Sequence, residues 1–116
     1  DVYLCGCADP FSAKSLRAGM SAQYVLNIFE GEREKILDLL SCCQLVCADM
    51  SGENVFTADI AEKHALVLGS EGGGVSSAAR MRCEKTVSIP MKNNMESLNV
   101  AVSAGILMYL MGKNNF

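Results

Sequence analysis

The stretch Leu66-Val67-Leu68-Gly69-Ser70-Glu71-Gly72-Gly73-Gly74-Val75-Ser76 limits the possible folds more than any other part of the chain. Residues 65–68 are apolar without polar alternation. That pattern reads as a strand covered on both faces, and such strands belong to parallel sheets. A glycine-rich loop follows, and Ser76 or Ser77 then starts a helix running to about Cys83. In a parallel sheet, ligands bind outside the carboxyl ends of the strands. Glycines there allow close approach to the backbone and leave N–H groups available. The loop is therefore expected to bind a ligand rather than serve only as a turn.

The rest of the chain repeats the alternation. Residues 2–7 read as a strand ending at Asp9-Pro10. Ser12 caps a helix through Met20, 24–29 form a second strand, and 32–43 form a helix with Ile36, Leu37, Leu39 and Leu40 at helical spacing. Residues 44–48 are a strand, and 49–54 a turn region. Residues 86–89 are a strand stopped by Pro90. A polar loop over 92–96 leads to Ser97, which caps a last helix to about Gly112. Strands alternating with helices over short connections give an α/β domain: a parallel sheet flanked by helices. With 116 residues, half of them apolar, the chain holds one domain with a real core.

Several function classes drop out. The glycine loop lacks the lysine of a phosphate-binding loop and the Gly-x-Gly-x-x-Gly dinucleotide fingerprint, which disfavours a nucleotide-dependent oxidoreductase. Glu71 within it would repel a polyphosphate. A net charge of −3 excludes a basic nucleic-acid tail. Lys14, Arg17, Arg80, Arg82 and Lys85 are the residues available for a local basic patch. The six cysteines show no Cys-x-x-Cys spacing and there is a single histidine, so no metal site is expected. They read as buried, reduced thiols, which implies the cytoplasm. The longest apolar stretch, 98–111, is interrupted by Asn99, Ser103 and Gly105, and is too short to span a bilayer.

A second stretch carries chemistry: Ile89-Pro90-Met91-Lys92-Asn93-Asn94-Met95-Glu96-Ser97-Leu98-Asn99-Val100. It places another strand end and a helix start at the same edge of the sheet. Together the two stretches closely resemble the SpoU (TrmH) family of RNA ribose 2'-O-methyltransferases, of the SPOUT superfamily. Residues 68–76 are similar to the family's second motif and 88–104 to its third, at matching spacing. Residues 9–20, with Lys14 and Arg17, are similar to the segment upstream.

The resemblance implies a deep C-terminal trefoil knot whose loops, 69–74, 88–92 and 95–99, hold S-adenosylmethionine. Leu68, Gly69, Gly72, Ile89, Met91, Ser97 and Leu98 are then the cofactor-binding residues, with backbone groups near Gly69, Ile89 and Leu98 bonding the adenosine. Glu71, Ser97 and Asn99 are the catalytic candidates. Glu71 orients an arginine by an ion pair, and Ser97 and Asn99 position the ribose and shape the loop. Lys14 and Arg17 are the RNA-binding candidates, for tRNA or rRNA. The family's first motif, with the arginine assigned to catalysis, falls before Asp1. The chain is thus expected to be the C-terminal part of the catalytic domain, binding cofactor without turnover. The alternative is a non-catalytic knotted module for dimerisation or for binding RNA or cofactor.

Two further expectations concern packing. A β-branched residue at Gly72 or Gly73 should block close approach of the cofactor. The last helix is apolar nearly all round, with small Ala101, Ala104 and Gly105, so it is expected to pack a homodimer. A charge at Leu107 or Tyr109 should then split the dimer or unfold the chain, depending on which residue faces the partner.

Overall fold

The computed structural model describes residues 1–93 and 95–113. The chain divides into two compact units, Asp1–Leu39 and Leu40–Phe116.

In the first unit, Val2–Leu4 (β1) pairs in parallel with Ile28–Glu30 (β2), and the Tyr3 and Phe29 rings stack at 5.1 Å across the pair. Between them lies Ala13–Ala18 (α1). Ser12 caps it as expected, its hydroxyl accepting from the Ser15 amide at 3.2 Å. The expected strand over 24–29 is shorter than its apolar run. Ala22–Tyr24 is a 3-10 turn, entered through Met20 and Ser21 at positive φ. The Gln23 side-chain amide ties this turn back by donating to the carbonyls of Pro10 and Ser15 at 3.0 and 2.8 Å. Arg33–Leu39 (α2) buries Ile36 and Leu37, and Leu40–Cys42 continues as 3-10 helix into the second unit.

The second unit is built on a parallel three-stranded sheet. Gln44–Asn54 (β3) is central, flanked by His64–Val67 (β4) and Lys85–Ser88 (β5). Ser77–Arg82 (α3) is capped by Ser76, and Val100–Met111 (α4) closes the unit. The core is Val46, Val55, Val87 and Leu107, with Leu66, Ile89 and Leu110 packed against it.

Four expectations change here. The turn at 49–54 lies inside β3. Ala48 and Glu53 both register with Val87, so 49–52 bulge out and the strand then resumes. Asp49 supplies real turn chemistry, accepting from the Ser51 amide at 2.9 Å, but Gly52 lets the chain return against β5. A Cβ on Gly52 would lie 2.6 Å from the backbone of Thr86 and Val87. Second, β4 is half-buried throughout rather than covered on both faces, because it is an edge strand. Third, the cap of α4 is Asn99, not Ser97. Fourth, the cysteines are all free but are not uniformly buried: Cys5, Cys7 and Cys42 are exposed, and only Cys47 is fully buried. Apolar sequence context placed them near the core, yet Cys5, Cys7 and Cys42 lie where chain segments end.

Only Leu107 of α4 is buried. Ala101, Val102, Gly105, Met108 and Tyr109 form an exposed stripe at helical spacing. Among the described residues, no helix is long and apolar enough to cross a membrane.

Candidate active site

A cleft of about 400 Å³ opens at the carboxyl ends of the strands in the second unit. Four segments line it. The end of β3 and its bulge give Ala48, Asp49 and Met50. The loop after β4 gives Leu68, Gly69, Ser70, Glu71 and Gly74. The end of β5 and the following loop give Ser88, Ile89 and Met91. The approach to α4 gives Ser97, Leu98, Asn99 and Val100, and Ser103 and Leu107 of the helix complete the lining.

The loop after β4 is closed tightly on itself. Ser70 and Gly74 form an antiparallel bridge, the Gly74 amide donating to the Ser70 carbonyl at 2.9 Å. The Gly73 amide donates to the Ser70 hydroxyl at 3.2 Å. This fold-back presses Gly69 against the other end of the loop. A Cβ on Gly69 would sit 1.9 Å from the Gly74 carbonyl carbon. Gly74 itself turns through the left-handed region at φ +64°. Gly72 faces open space and is not among the cleft-lining residues. Close approach in this loop is therefore met at Gly69, between two stretches of its own backbone.

Glu71 and Asn99, 28 residues apart, meet across the cleft. The Asn99 side-chain amide donates to the Glu71 carboxylate at 3.0 Å. The other half of that side chain accepts from the amides of Ala101 and Val102 at 2.9 and 3.3 Å. One residue thus starts α4 and fixes the glycine loop against it. Ser97 and Leu98 lie on the same approach, with Ser97 exposed. Of the sequence-derived site residues, Leu68, Gly69, Glu71, Ile89, Met91, Ser97, Leu98 and Asn99 line one cleft. Lys14 and Arg17 are exposed on α1 of the first unit, one turn apart. Arg80 bonds Asp49 at 2.6 Å and Lys85 bonds Glu53 at 3.0 Å, so two of the five cations available for a basic patch are committed to acids.

Sequence reasoning missed Asp49 and Met50 in the cleft wall. The Asp49 carboxylate accepts from the Arg80 guanidinium at 2.6 Å and from the Ser51 hydroxyl at 2.6 Å. Arg80, helped by Ser51, holds the Asp49 carboxyl well below its ordinary value of 3.8. The folded-state value lies below the unfolded one, so the stabilisation is complete above about pH 5 and is lost as pH falls below about 4. Because the pair is partly open to solvent the effect is small: Asp49→Asn is expected to flatten the acid limb of a stability–pH curve slightly in that window. An acid limb as steep as in the parent chain would contradict the assignment.

Among the described residues, the lining holds two acids, Asp49 and Glu71, and no lysine or arginine. It is otherwise apolar with a few hydroxyls and exposed backbone. Such a site suits a neutral ring system and does not suit a polyphosphate.

Comparison with known proteins agrees with this geometry. The model of the SpoU rRNA Methylase family matches residues 1–109. The 23S rRNA (guanosine(2553)-2'-O)-methyltransferase RlmP of Bacillus subtilis is 30% identical over 107 residues, 90% of this chain and 43% of that protein. The 23S rRNA (guanosine-2'-O-)-methyltransferase RlmB of Ralstonia nicotianae is 40% identical over 62 residues, 53% of this chain and 25% of that protein. The matched segments thus span a quarter to under a half of those relatives. Among solved structures, the SpoU methyltransferase AviRb from Streptomyces viridochromogenes, in complex with the cofactor AdoMet, superposes with a TM-score of 0.88 at 28% identity. That match covers 97% of this chain and 49% of AviRb.

Proposed function

The chain belongs to the SpoU rRNA Methylase family, and from that premise we propose that its cleft holds S-adenosylmethionine for methyl transfer to a ribose 2'-hydroxyl of RNA. The observation that carries this reading is the Glu71–Asn99 hydrogen bond, which joins the glycine loop to the start of α4 at the edge of the cleft. The names of the relatives favour ribosomal RNA as the substrate over transfer RNA.

The residues present fit the cofactor. The cleft volume lies in the range of small-molecule sites, and its largely apolar lining with a few hydroxyls suits a neutral adenine and an aliphatic chain. When bound, the cofactor supplies an electrophilic methyl group. Leu68, Gly69, Ile89, Met91, Ser97 and Leu98 form the binding surface, with backbone groups near Gly69, Ile89 and Leu98 recognising a neutral adenine. Gly72 is dropped from that surface because it lies outside the cleft lining.

A ribose hydroxyl is a weak nucleophile and must lose its proton as it attacks. Asn99 presents its N–H to Glu71 because its oxygen is engaged by the helix amides. This orients the Glu71 carboxylate, whose second oxygen suits an ion pair with an arginine at the reacting hydroxyl. Ser97, exposed beside the cleft, is placed to hydrogen-bond the ribose. Lys14 and Arg17 contribute phosphate contacts, which position RNA without reading its sequence.

The same reading includes a trefoil knot through the loops 69–74, 88–92 and 95–99, a cytoplasmic location and a homodimer. The dimer is supported by the exposed stripe of Val102, Gly105, Met108 and Tyr109, in which small residues allow close helix approach.

The activity is tested by incubating this chain, joined to a segment carrying the family's first motif, with ribosomal RNA and methyl-labelled S-adenosylmethionine, then digesting with alkali. A 2'-O-methyl group blocks cleavage at its own phosphodiester, so label in alkali-resistant dinucleotides is the expected product. Label released entirely as mononucleotides would place the methyl on a base and contradict the proposal.

A further inference from the structure

Arg80 and Asp49 lie 31 residues apart and make an ion pair at 2.6 Å. Their side chains remain 39% and 28% exposed. Pairs this open to solvent add little to global stability. What the pair does is local. Asp49 is the first residue of the bulge 49–52, and its carboxylate is bonded at both oxygens. One accepts from Arg80, and the other from the amide and hydroxyl of Ser51 at 2.9 and 2.6 Å. From the far side, the Ser88 hydroxyl donates to the Gly52 carbonyl at 2.8 Å. Backbone contact at Gly52 leaves the bulge no room to move toward β5. The bulge is thus gripped at both ends, and between the grips stands Met50. Met50 is 57% exposed, makes no part of the core, and lines the cleft. An exposed methionine on a braced bulge is a costly arrangement for packing alone, because the thioether chain gains little burial there.

We propose that Arg80 is a positioning residue which, through Asp49, holds the bulge 49–52 so that Met50 forms an apolar wall of the cofactor cleft. This rests on the reading that the cleft binds S-adenosylmethionine. Arg80 touches no ligand in this scheme. It acts by fixing the shape of the wall, and Met50 supplies the contact.

The test is calorimetric titration of the 116-residue chain and its variants with S-adenosylmethionine, with thermal melting run beside it. Arg80→Met keeps the length of the side chain and removes its charge. It is expected to weaken binding about tenfold, and Met50→Ala by a similar factor. In Met50→Ala/Arg80→Met the loss is expected to match that of one substitution rather than the product of both, since the brace acts only through Met50. Arg80→Lys restores a cation to Asp49 and is expected to bind within about threefold of the parent chain. A purely structural role would lower the melting temperature without coupling to Met50. Wild-type affinity in Arg80→Met, or losses that multiply in the double variant, would overturn the proposal. Should Arg80→Met fail to fold, Arg80→Lys and Asp49→Asn paired with Met50→Ala carry the same comparison. A parent chain that melts cooperatively yet shows no binding overturns the cofactor reading itself. A parent chain that binds beside an unaffected Arg80→Met overturns only the brace.

Discussion

Gly69→Ala is expected to collapse the glycine loop and abolish cofactor binding, whereas Gly72→Ala leaves both intact. A methyl group on Gly69 would lie 1.9 Å from the Gly74 carbonyl carbon, 2.1 Å from its oxygen and 2.1 Å from the Val75 nitrogen. All three are backbone atoms, so no side chain can rotate away to relieve the clash. The loop must open, and the Ser70–Gly74 bridge and the Gly73 bond to the Ser70 hydroxyl open with it. The cost is roughly 3 kcal/mol or more. Glu71 is carried away from Asn99 in the same movement. Gly72 has no heavy atom within 4 Å of where its Cβ would stand. Its substitution by alanine is expected to change stability by no more than about 0.5 kcal/mol. Melting curves of the two variants decide the matter. Equal melting temperatures would show that the loop is not closed as described.

Charge on α4 is expected to produce two opposite outcomes. Leu107 is 1% exposed and packs in the core with Val46, Val55 and Val87. Leu107→Asp buries an unpaired carboxylate there, at a cost of several kcal/mol against a total of about 5–15 kcal/mol for a domain. The chain should unfold. Tyr109 is 68% exposed on the stripe proposed to meet a second subunit. Tyr109→Asp should keep the fold and convert a dimer to a monomer. Circular dichroism separates the first outcome, and sedimentation the second. A Tyr109→Asp chain that remains a stable dimer would remove α4 from the interface.

The helix cap at Ser12, a helix start at Ser76 or Ser77 and a parallel sheet were legible in the sequence, because each rests on local chemistry or on an apolar run. The bulge in β3 was not. Asp49 and Ser51 carry a genuine turn signature, and only the register against β5 shows that the strand resumes beyond it. The α4 cap was misplaced by two residues. Ser97 and Asn99 are both good caps, and what selects Asn99 is a bond to Glu71 from a distant loop.

Most of the site residues were legible through the two motifs, which follow β4 and β5 on either side of β3. Which glycine is indispensable was not legible. Gly69, Gly72, Gly73 and Gly74 look alike in sequence, and the crowding of Gly69 arises only when the loop folds back on itself. Asp49 and Met50 were invisible for the same reason. Their place in the cleft depends on Arg80, and nothing between residues 49 and 80 announces that pairing.

The most direct measurement is an amide-resolved NMR titration of the chain with S-adenosylmethionine. The central claim is that one cleft, walled by the glycine loop, the bulge in β3, the end of β5 and the approach to α4, binds the cofactor. The expected result is saturable shifts with one ligand per chain, largest at Leu68, Gly69, Ile89 and Leu98, with S-adenosylhomocysteine shifting the same amides. Folded protein whose amides in those segments do not move, or whose shifts gather elsewhere on the chain, would contradict it.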